Sequence, residues 1–245
     1  MAAKASEDSL QLTFWEHVGE LRDYALWGAA FFVIASSLIF FYASDTLIRY
    51  LLRPAPGGLV FLSPLGPFLF KMKVSCLGGL LVSLPLWIVL ALRFVGAALE
   101  RGQRMFVYAI VSASFFLGLG AIALTYLYLV PVSLKVLSGF AVPGTTLLLT
   151  AESYLSFFLM QLVVSFVMLE IPVSVVGLAY LQLLDPRIFV RKRKYVFLTL
   201  LIVFAILTPT TDVVTLLLVT LPAFALCELG IVLGKLVYNK SIIAK

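Results

Sequence analysis

Six apolar segments alternate with short polar stretches along the chain, and this alternation limits the possible folds more than any other feature. A run of about 20 apolar residues can cross a bilayer as an α-helix, and in lipid only helices and closed barrels satisfy every backbone polar group. The sequence therefore predicts an all-α membrane protein with six transmembrane helices. The predicted spans are residues 24–42, 74–95, 105–130, 154–180, 195–207 and 213–233.

Composition and charge agree with a chain that has lipid as its main solvent. Hydrophobic residues make up 62% of the chain and charged residues 12%, whereas a soluble domain is typically about 25% charged. The first 20 residues carry four acidic side chains where a cleavable signal would be positive, so the first apolar segment is expected to remain as an anchor. With no visible repeat or linker, residues 1–245 are predicted to form one polytopic domain, with a cytoplasmic N-terminal segment (1–23), a six-helix membrane region (24–234) and a cytoplasmic tail (235–245).

Helix lengths and internal prolines predict a kinked, concave assembly. The fifth segment has only 13 residues before Thr208, or about 20 Å of helix. The fifth and sixth helices are therefore expected to be short within the membrane. Pro85, Pro172 and Pro222 lie inside predicted spans, and each removes a helical hydrogen bond and favours a kink.

The stretch from residue 43 to residue 73 is too long for a simple turn. Apolar residues at helical spacing in 45–52 predict a short helix along the membrane surface, and the segment 54–58 is expected to break it. Ser63 and Pro64 then resemble a start signal for the second transmembrane helix. The third helix is expected to end at Pro131.

The distribution of lysine and arginine predicts the orientation. With six spans, thirteen basic residues fall on the side of the two termini and five on the other side. Because loops rich in lysine and arginine stay in the cytoplasm, both termini are expected to be cytoplasmic.

Glu170 is the most informative single residue. It lies sixteen residues into the fourth segment, and an acid at membrane depth costs about 2.5–3.5 kcal/mol on insertion scales. Such a side chain is expected to face protein or a water-filled cavity. Two interpretations remain open: a polar lining of a binding or transport cavity, or a protonated acid hydrogen-bonded within the helices.

Further acidic residues lie at the predicted cytoplasmic surface. Glu16 and Glu20 are four residues apart, on neighbouring turns of a helix, and Glu100 lies in the loop after the second span. Carboxylates bind guanidinium groups bidentately, so these residues suggest a site for an arginine-bearing ligand. The alternatives are a solvated juxtamembrane helix for the first pair and a loop charge paired with a nearby arginine for Glu100.

The residues that carry most metal and nucleophilic chemistry are scarce. One histidine, His17, and two distant cysteines, Cys76 and Cys227, give no cluster for a metal, and the cysteines are expected to act as small hydrophobic residues. No nucleophile–base pair is evident, which argues against an intramembrane hydrolase. We expect no cofactor and no enzymatic activity.

Ordered motifs along nearly the whole chain resemble the TatC family, the signal-peptide-recognising core subunit of the twin-arginine protein translocase. Individually each motif is weak, but their order along six helices makes the resemblance strong. The motifs are H-V-G-E-L-R at 17–22, the S-P…F…K entry at 63–73, the F-x-x-x-A-L stretch at 94–99, E-S-Y-L-S-F at 152–157, F-V-M-L-E-I-P at 166–172, R-K-R-K-Y at 191–195, T-P-T-T-D at 208–212, and then Pro222 and Glu228.

The resemblance implies a function without covalent catalysis. Members of the family bind the paired arginines of signal peptides at the cytoplasmic face, assemble with the single-span subunits TatA and TatB and with other TatC copies in the cell membrane, and pass folded proteins using the proton-motive force. No nucleic acid is involved, and membrane lipid is the remaining partner. By position, the implied signal-peptide residues are Glu20, Leu21, Arg22, Phe94, Glu100 and Gln103, Glu170 would line the membrane cavity, and Thr208, Asp212 and Thr215 would contact a partner helix.

Three positions depart from the family pattern. Gln103 stands where the family usually has a glutamate that contacts a signal arginine, and Glu100, one helical turn earlier, is the candidate substitute. Ala97 and Thr210 replace two family prolines. These departures concern the second arginine contact rather than the family itself.

The rival hypothesis is a proton-coupled transporter of small solutes that uses Glu170. Such transporters usually contain two related halves, and the sequence shows no internal repeat.

Overall fold

The structure, a computed structural model, describes the backbone of residues 2–55, 57–98, 101–139, 149–208 and 213–243. It describes side chains for residue 19 and for residues 21–55, 57–94, 104–139, 149–208 and 213–239. Within these ranges the regular elements are helices. They are α1 (Ala2–Leu38), α2 (Ser44–Leu52), α3 (Gly66–Ala98), α4 (Arg101–Leu124), α5 (Val130–Ser138), α6 (Ala151–Tyr180), α7 (Pro186–Arg191), α8 (Arg193–Leu207) and α9 (Val213–Ile243), with π-helical turns at Ile39–Ala43 and Thr125–Leu129.

The predicted all-α class is confirmed for the described part of the chain. Outside the helices, the described backbone makes an isolated parallel bridge between Val60 and Thr150. The Val60 amide donates to the Leu149 carbonyl over 3.2 Å, and the Ala151 amide donates to the Val60 carbonyl over 3.1 Å. This bridge ties the loop before α3 to the start of α6.

Five helical stretches among the described residues are long and apolar enough to cross a membrane, by length and composition. The predicted fifth segment forms α8, whose 15 residues span about 22 Å. That length is below the roughly 30 Å of a hydrocarbon core, so the prediction of a short fifth helix is confirmed. The five long stretches are Leu21–Leu52, Gly66–Phe94, Arg104–Ser138, Ala151–Tyr180 and Val213–Asn239.

The sixth helix is not short, and that part of the prediction is wrong. α9 contains 31 residues and continues through Pro222. A proline inside a membrane helix is tolerated where neighbouring helices support the backbone, and α9 packs against α6, α7 and α8.

The loop expected after the first span also begins later than predicted. Residues 45–52 are helical, as predicted. Ser44 also has α-helical dihedrals, and it joins α2 to α1 through the π-helical turn Ile39–Ala43. The Ser44 hydroxyl donates to the Phe40 carbonyl over 2.8 Å, so the helical backbone continues past Ala43, where the loop was predicted to begin. α3 begins at Gly66, and its start follows Ser63, whose hydroxyl accepts from the Leu65 amide over 3.3 Å.

Pro131 does not end the third span, as the sequence predicted. It occupies the first turn of α5, directly after the π-helical turn Thr125–Leu129. A proline ring normally clashes with the carbonyl four residues earlier. The wider π-helical turn relieves that clash, so the helix continues to Ser138.

The chain divides into two compact units, and each is described by itself. The first unit comprises Met1–Tyr50 and Pro67–Tyr108, and the second comprises Leu51–Gly66 and Ala109–Lys245.

In the first unit, α1 packs on α3 through small residues. A Cβ built on Gly79 would contact the backbone of Ser36, 2.8 Å from its Cα, and one built on Gly28 would lie 2.8 Å from the Trp87 ring. At residue 79 only glycine allows the approach, because the neighbour is backbone, whereas at residue 28 the Trp87 ring would have to shift. Nearby, the Lys71 ammonium forms a 3.1 Å ion pair with Asp45 and lies 5.5 Å from the centre of the Phe40 ring.

In the second unit, α6 and α9 form the main helix pair. A Cβ built on Gly230 would lie 2.6 Å from the Pro172 Cα, so the two backbones meet at this point. More than two turns away along the same pair of helices, Phe204 of α8, Val219 of α9 and Val164 of α6 are buried together in one cluster, at 0% exposure each. This packing fixes the helices that carry Glu170.

Candidate functional site

Glu170 lies in the second unit, on the half-buried part of α6. The Ser114 hydroxyl of α4 donates to its Oε2 over 2.9 Å. Its Oε1 is buried and has no hydrogen-bond partner among the described residues. One oxygen is thus bound within the protein, and the other remains able to accept a hydrogen bond.

A cavity of about 530 Å³ opens beside Glu170, between side chains of α6, α7, α8 and α9. We call it the Glu170 cavity. Its walls are mostly apolar, with Phe166 and Ile171 from α6 and Leu200 from α8. The polar or charged residues that line it include Glu170, Ser174, Lys192, Tyr195 and Thr199. Its volume falls within the range of about 300–1,000 Å³ that is typical of ligand pockets.

The basic run 191–194 lies at the join between α7 and α8. The Asp185 side chain caps α7 by accepting from the Arg187 amide over 2.9 Å. Lys192, with φ −113° and ψ 31°, separates α7 from α8, and no side chain caps the N-terminus of α8. Arg193 forms a 2.8 Å ion pair with Glu228 of α9, whereas the Lys192 side chain lines the Glu170 cavity.

A buried polar cluster, which the sequence did not reveal, joins the π-helical turn Thr125–Leu129 and α5 to α6. The Thr125 hydroxyl lies 2.6 Å from the Ser165 oxygen, and the Gln161 amide donates to the Ser133 oxygen over 3.1 Å. These four side chains are at most 1% exposed. The isolated glutamine in an apolar run, with a serine four residues later, is the signal that could have indicated it.

The structure describes only part of the implied signal-peptide site. The side chains of Glu20 and Gln103, and the whole of Glu100, lie outside the described residues. Leu21 is 47% exposed, and the Arg22 guanidinium forms a 3.0 Å ion pair with its exposed neighbour Asp23. Phe94 is half-buried in α3. Leu21, Arg22 and Phe94 are therefore the part of the implied site whose side chains the structure describes.

The residues implied in partner contact surround the short link between α8 and α9. Asp212 lies outside the described residues. Thr208 and Thr215 are buried, at 6% and 1% exposure, and the Thr208 hydroxyl donates to the Phe204 carbonyl over 2.8 Å. Beside them, Val213 and Val214 are 67% and 56% exposed.

Among the described residues, no three histidine, cysteine or acidic side chains come together as metal ligands. Cys76 is exposed, Cys227 is buried, and neither forms a disulfide. The chemistry that the described residues offer is therefore hydrogen bonding, ion pairing and apolar contact.

Comparison with known proteins identifies one family. The family profile described as Sec-independent protein translocase protein (TatC) matches residues 16–222. A protein of that name from Aquifex aeolicus is 30% identical over 233 residues, which cover 92% of this chain and 95% of that protein. Its counterpart from Carboxydothermus hydrogenoformans is 27% identical over 232 residues, with 94% and 95% covered.

Solved structures give the same relationship. A crystal structure titled as the twin arginine translocase receptor TatC superposes with a TM-score of 0.70 at 27% identity, covering 90% of this chain and 99% of that one. A second such structure, determined in the detergent DDM, superposes with a TM-score of 0.74, with 89% and 99% covered.

Proposed function

Because the chain belongs to the TatC family, a non-enzymatic transport component of the Sec-independent protein translocase, we propose that it is a receptor for signal peptides that carry paired arginines. The family resemblance of the sequence motifs is confirmed, and the chain is a multi-pass membrane protein of the Tat system. The observation that carries the proposal is the match over residues 16–222 together with the likeness to structures titled as the translocase receptor.

The proposal includes six membrane spans within a single polytopic domain. α8 is the sixth candidate, in addition to the five long stretches, because it is apolar and joins α9 by a short link. At about 22 Å it would require local thinning of the bilayer. Kinks at Pro85, Pro172 and Pro222, each inside a helix, would give the concave shape that the sequence predicts.

Both termini are proposed to be cytoplasmic. The support is the excess of lysine and arginine on that side, thirteen against five under a six-span topology. With this orientation α1 brings Glu20, Leu21 and Arg22 to the membrane surface from which precursor proteins arrive.

At the proposed site, the carboxylate of Glu20 binds one signal-peptide arginine. A guanidinium presents a planar fork that pairs bidentately with a carboxylate, which a lysine ammonium does not reproduce. Glu100 is proposed to bind the second arginine in place of the family glutamate at Gln103, with Leu21, Arg22 and Phe94 around the peptide. This arrangement explains a preference for arginine by geometry as well as charge.

The peptide-bound chain is proposed to assemble with TatA, TatB and other TatC copies into a complex that the proton-motive force drives. The contact is assigned to the link between α8 and α9, at Thr208, Asp212 and Thr215. Since both threonines are buried, the contact would depend on Asp212 and on the exposed Val213 and Val214 beside it.

Binding of a labelled two-arginine signal peptide to the purified chain tests the proposal. Hydrogen bonds to charged groups contribute about 1.5–3 kcal/mol each, so replacing both arginines by lysines should weaken binding at least tenfold. Glu20→Ala should reduce this discrimination to the part that the Glu100 contact supplies, whereas Asp8→Ala, on the same helix more than three turns away, should retain it in full. Equal affinity for the arginine and lysine peptides would contradict the receptor function.

The role of Glu100 is tested in the same assay. Glu100→Ala should reduce the affinity for the two-arginine peptide about tenfold, because one charged hydrogen-bonded pair is lost. Gln103→Ala should have a smaller effect. If the two variants behave in the opposite order, the second arginine contact belongs to Gln103.

A further inference from the structure

We propose that the Glu170 cavity binds an anionic phospholipid, with the headgroup phosphate at Lys192 and one acyl chain along the apolar walls. This inference does not depend on signal-peptide binding, because it concerns a different surface and a different ligand. It assigns a ligand to the basic run 191–194, which the proposed receptor function leaves unused.

The walls of the cavity suit an acyl chain. Apolar side chains from α6 and α8, among them Ile171, Val175 and Leu200, line most of its surface. Thr199 of α8 also lines it and is exposed, so the cavity opens to the surface at α8. This step rests on the proposed six-span topology: with the 15-residue α8 embedded in the membrane, lipid would be the medium next to this opening.

Charge at one end of the cavity suits a phosphate. Lys192 lines the cavity, is exposed, and makes no side-chain hydrogen bond or ion pair with any described residue. Its neighbour Arg193 is already bound to Glu228, so Lys192 is the cation of the pair that is available to a ligand. Basic pockets between membrane helices are typical sites for anionic headgroups.

The acid in the cavity lies away from this end. Glu170 is ten residues before Tyr180, where α6 ends, or about 15 Å along the helix. Leu200 of α8 packs against the same core clusters as Ile171, the neighbour of Glu170, and Lys192 is eight residues before Leu200, or about 12 Å along α8. The phosphate and the Glu170 carboxyl would therefore lie at different depths, with the acyl chain between them.

Lipid titration of the full-length chain in detergent, without any signal peptide, tests the inference. Native mass spectrometry should give phosphatidylglycerol at least fivefold higher affinity than phosphatidylcholine, with the preference decreasing as salt increases. Soluble glycerol phosphate should not compete, because the acyl chain contributes to binding. Equal affinity for the two lipids, or full competition by glycerol phosphate, would overturn the proposal.

Two pairs of variants locate the site. Lys192→Gln should reduce phosphatidylglycerol affinity about fivefold, whereas Lys194→Gln, in the same basic run but not lining the cavity, should have little effect. Thr199→Trp should fill the cavity and weaken the binding of both lipids. Leu198→Trp, exposed on the same helix but outside the cavity, should leave their binding unchanged. Equal effects within either pair would indicate general surface association and refute a site at the cavity.

Photo-cross-linking of the unmodified chain removes any dependence on the folding of variants. A phosphatidylglycerol with a photoreactive acyl chain should label α6 and α8 near residues 171 and 200. Labelling restricted to other helices would overturn the assignment, as would displacement of bound lipid by a single-span peptide. A failure here would leave peptide binding intact, so the two proposals fail independently.

Discussion

At the scale of single residues, polar side chains in the second unit are paired across helices although each lies in an apolar run. The Thr125 hydroxyl lies within hydrogen-bond distance of oxygens on two helices. These include the Ala121 carbonyl of its own helix, at 2.7 Å, and the Ser165 hydroxyl of α6, at 2.6 Å. In lipid, an unpaired polar group has no water to bind, so such pairs fix the rotation of one helix against another. The π-helical turn that starts at Thr125 is part of this arrangement.

Thr125→Val tests the energetic contribution of this pair. Interhelical hydrogen bonds in membranes contribute about 0.6 kcal/mol on average and up to about 1.7 kcal/mol, so we expect a loss of stability in that range. Thr220→Val is the matched control, because Thr220 is equally buried but, among the described residues, bonds to the Leu216 carbonyl of its own helix rather than to another helix. Thermal unfolding of both variants in detergent gives the comparison. An equal decrease in Tm would show that the interhelical bond is not specially stabilising.

Glu170→Gln tests whether the fold requires a carboxyl group at this position or only an acceptor for the Ser114 hydroxyl. The amide oxygen of glutamine can still accept from the Ser114 hydroxyl, so the free energy of unfolding should change by less than about 0.5 kcal/mol. Glu170→Leu should leave Ser114 without its partner and cost about 1 kcal/mol or more. Thermal unfolding measures both variants, and a large loss with glutamine would mean that the position requires a carboxyl group and not only an acceptor for Ser114.

At the scale of helices, the close contact of α6 and α9 depends on a proline and a glycine that face each other. Pro172 presents its backbone to Gly230, and an added Cβ would lie 2.6 Å from the Pro172 Cα. Small residues let membrane helices approach closely, which increases van der Waals contact. Pro172 is two residues after Glu170, so the same contact positions the acid relative to the cavity.

Gly230→Ala should therefore destabilise the protein. The added methyl group meets backbone rather than a movable side chain, and overpacking of this kind typically costs about 1–3 kcal/mol. Gly120→Ala is the control, since its Cβ would lie 3.7 Å from a Leu169 methyl group, an ordinary contact. Tm in detergent should decrease for the first variant only. A tolerated Gly230→Ala would mean that α6 and α9 separate without cost at this point.

At the scale of the whole molecule, five long apolar stretches and the 15-residue α8 determine how often the chain crosses the membrane. Whether α8 counts as a crossing decides on which side α9 begins and the C-terminus lies. The four long stretches before it put the basic run 191–194 on the same side as the N-terminus and Lys135 on the other in either case.

Cysteine labelling tests this topology. In a variant without Cys76 and Cys227, Lys194→Cys should resist a membrane-impermeant maleimide in intact cells, whereas Lys135→Cys should react, because both positions are exposed but on opposite sides. Disruption of the cells should make both reactive. Reaction of both positions from outside would refute the four crossings before the basic run. Val213→Cys, exposed just after the link between α8 and α9, should also react in intact cells, and its protection there would refute a crossing by α8.

Much of the molecule follows from the sequence by itself. A membrane helix requires a continuous apolar run, which is visible in the sequence. The positions of the helices, the shortness of α8 and the membrane as solvent could therefore be predicted without a structure. The ordered motifs likewise sufficed for the family, since they depend only on residue identity and order. Glu170 was recognisable because an acid inside an apolar run is conspicuous.

Only the tertiary structure decided how the helices continue and what their polar atoms contact. Pro131 was expected to end a helix, but the π-helical turn before it accommodates the ring. Ser114 and Glu170 are 56 residues apart, and Thr125 and Ser165 are 40 apart. The physical reason is that pairing and close packing depend on three-dimensional neighbours, which local hydrophobicity does not specify.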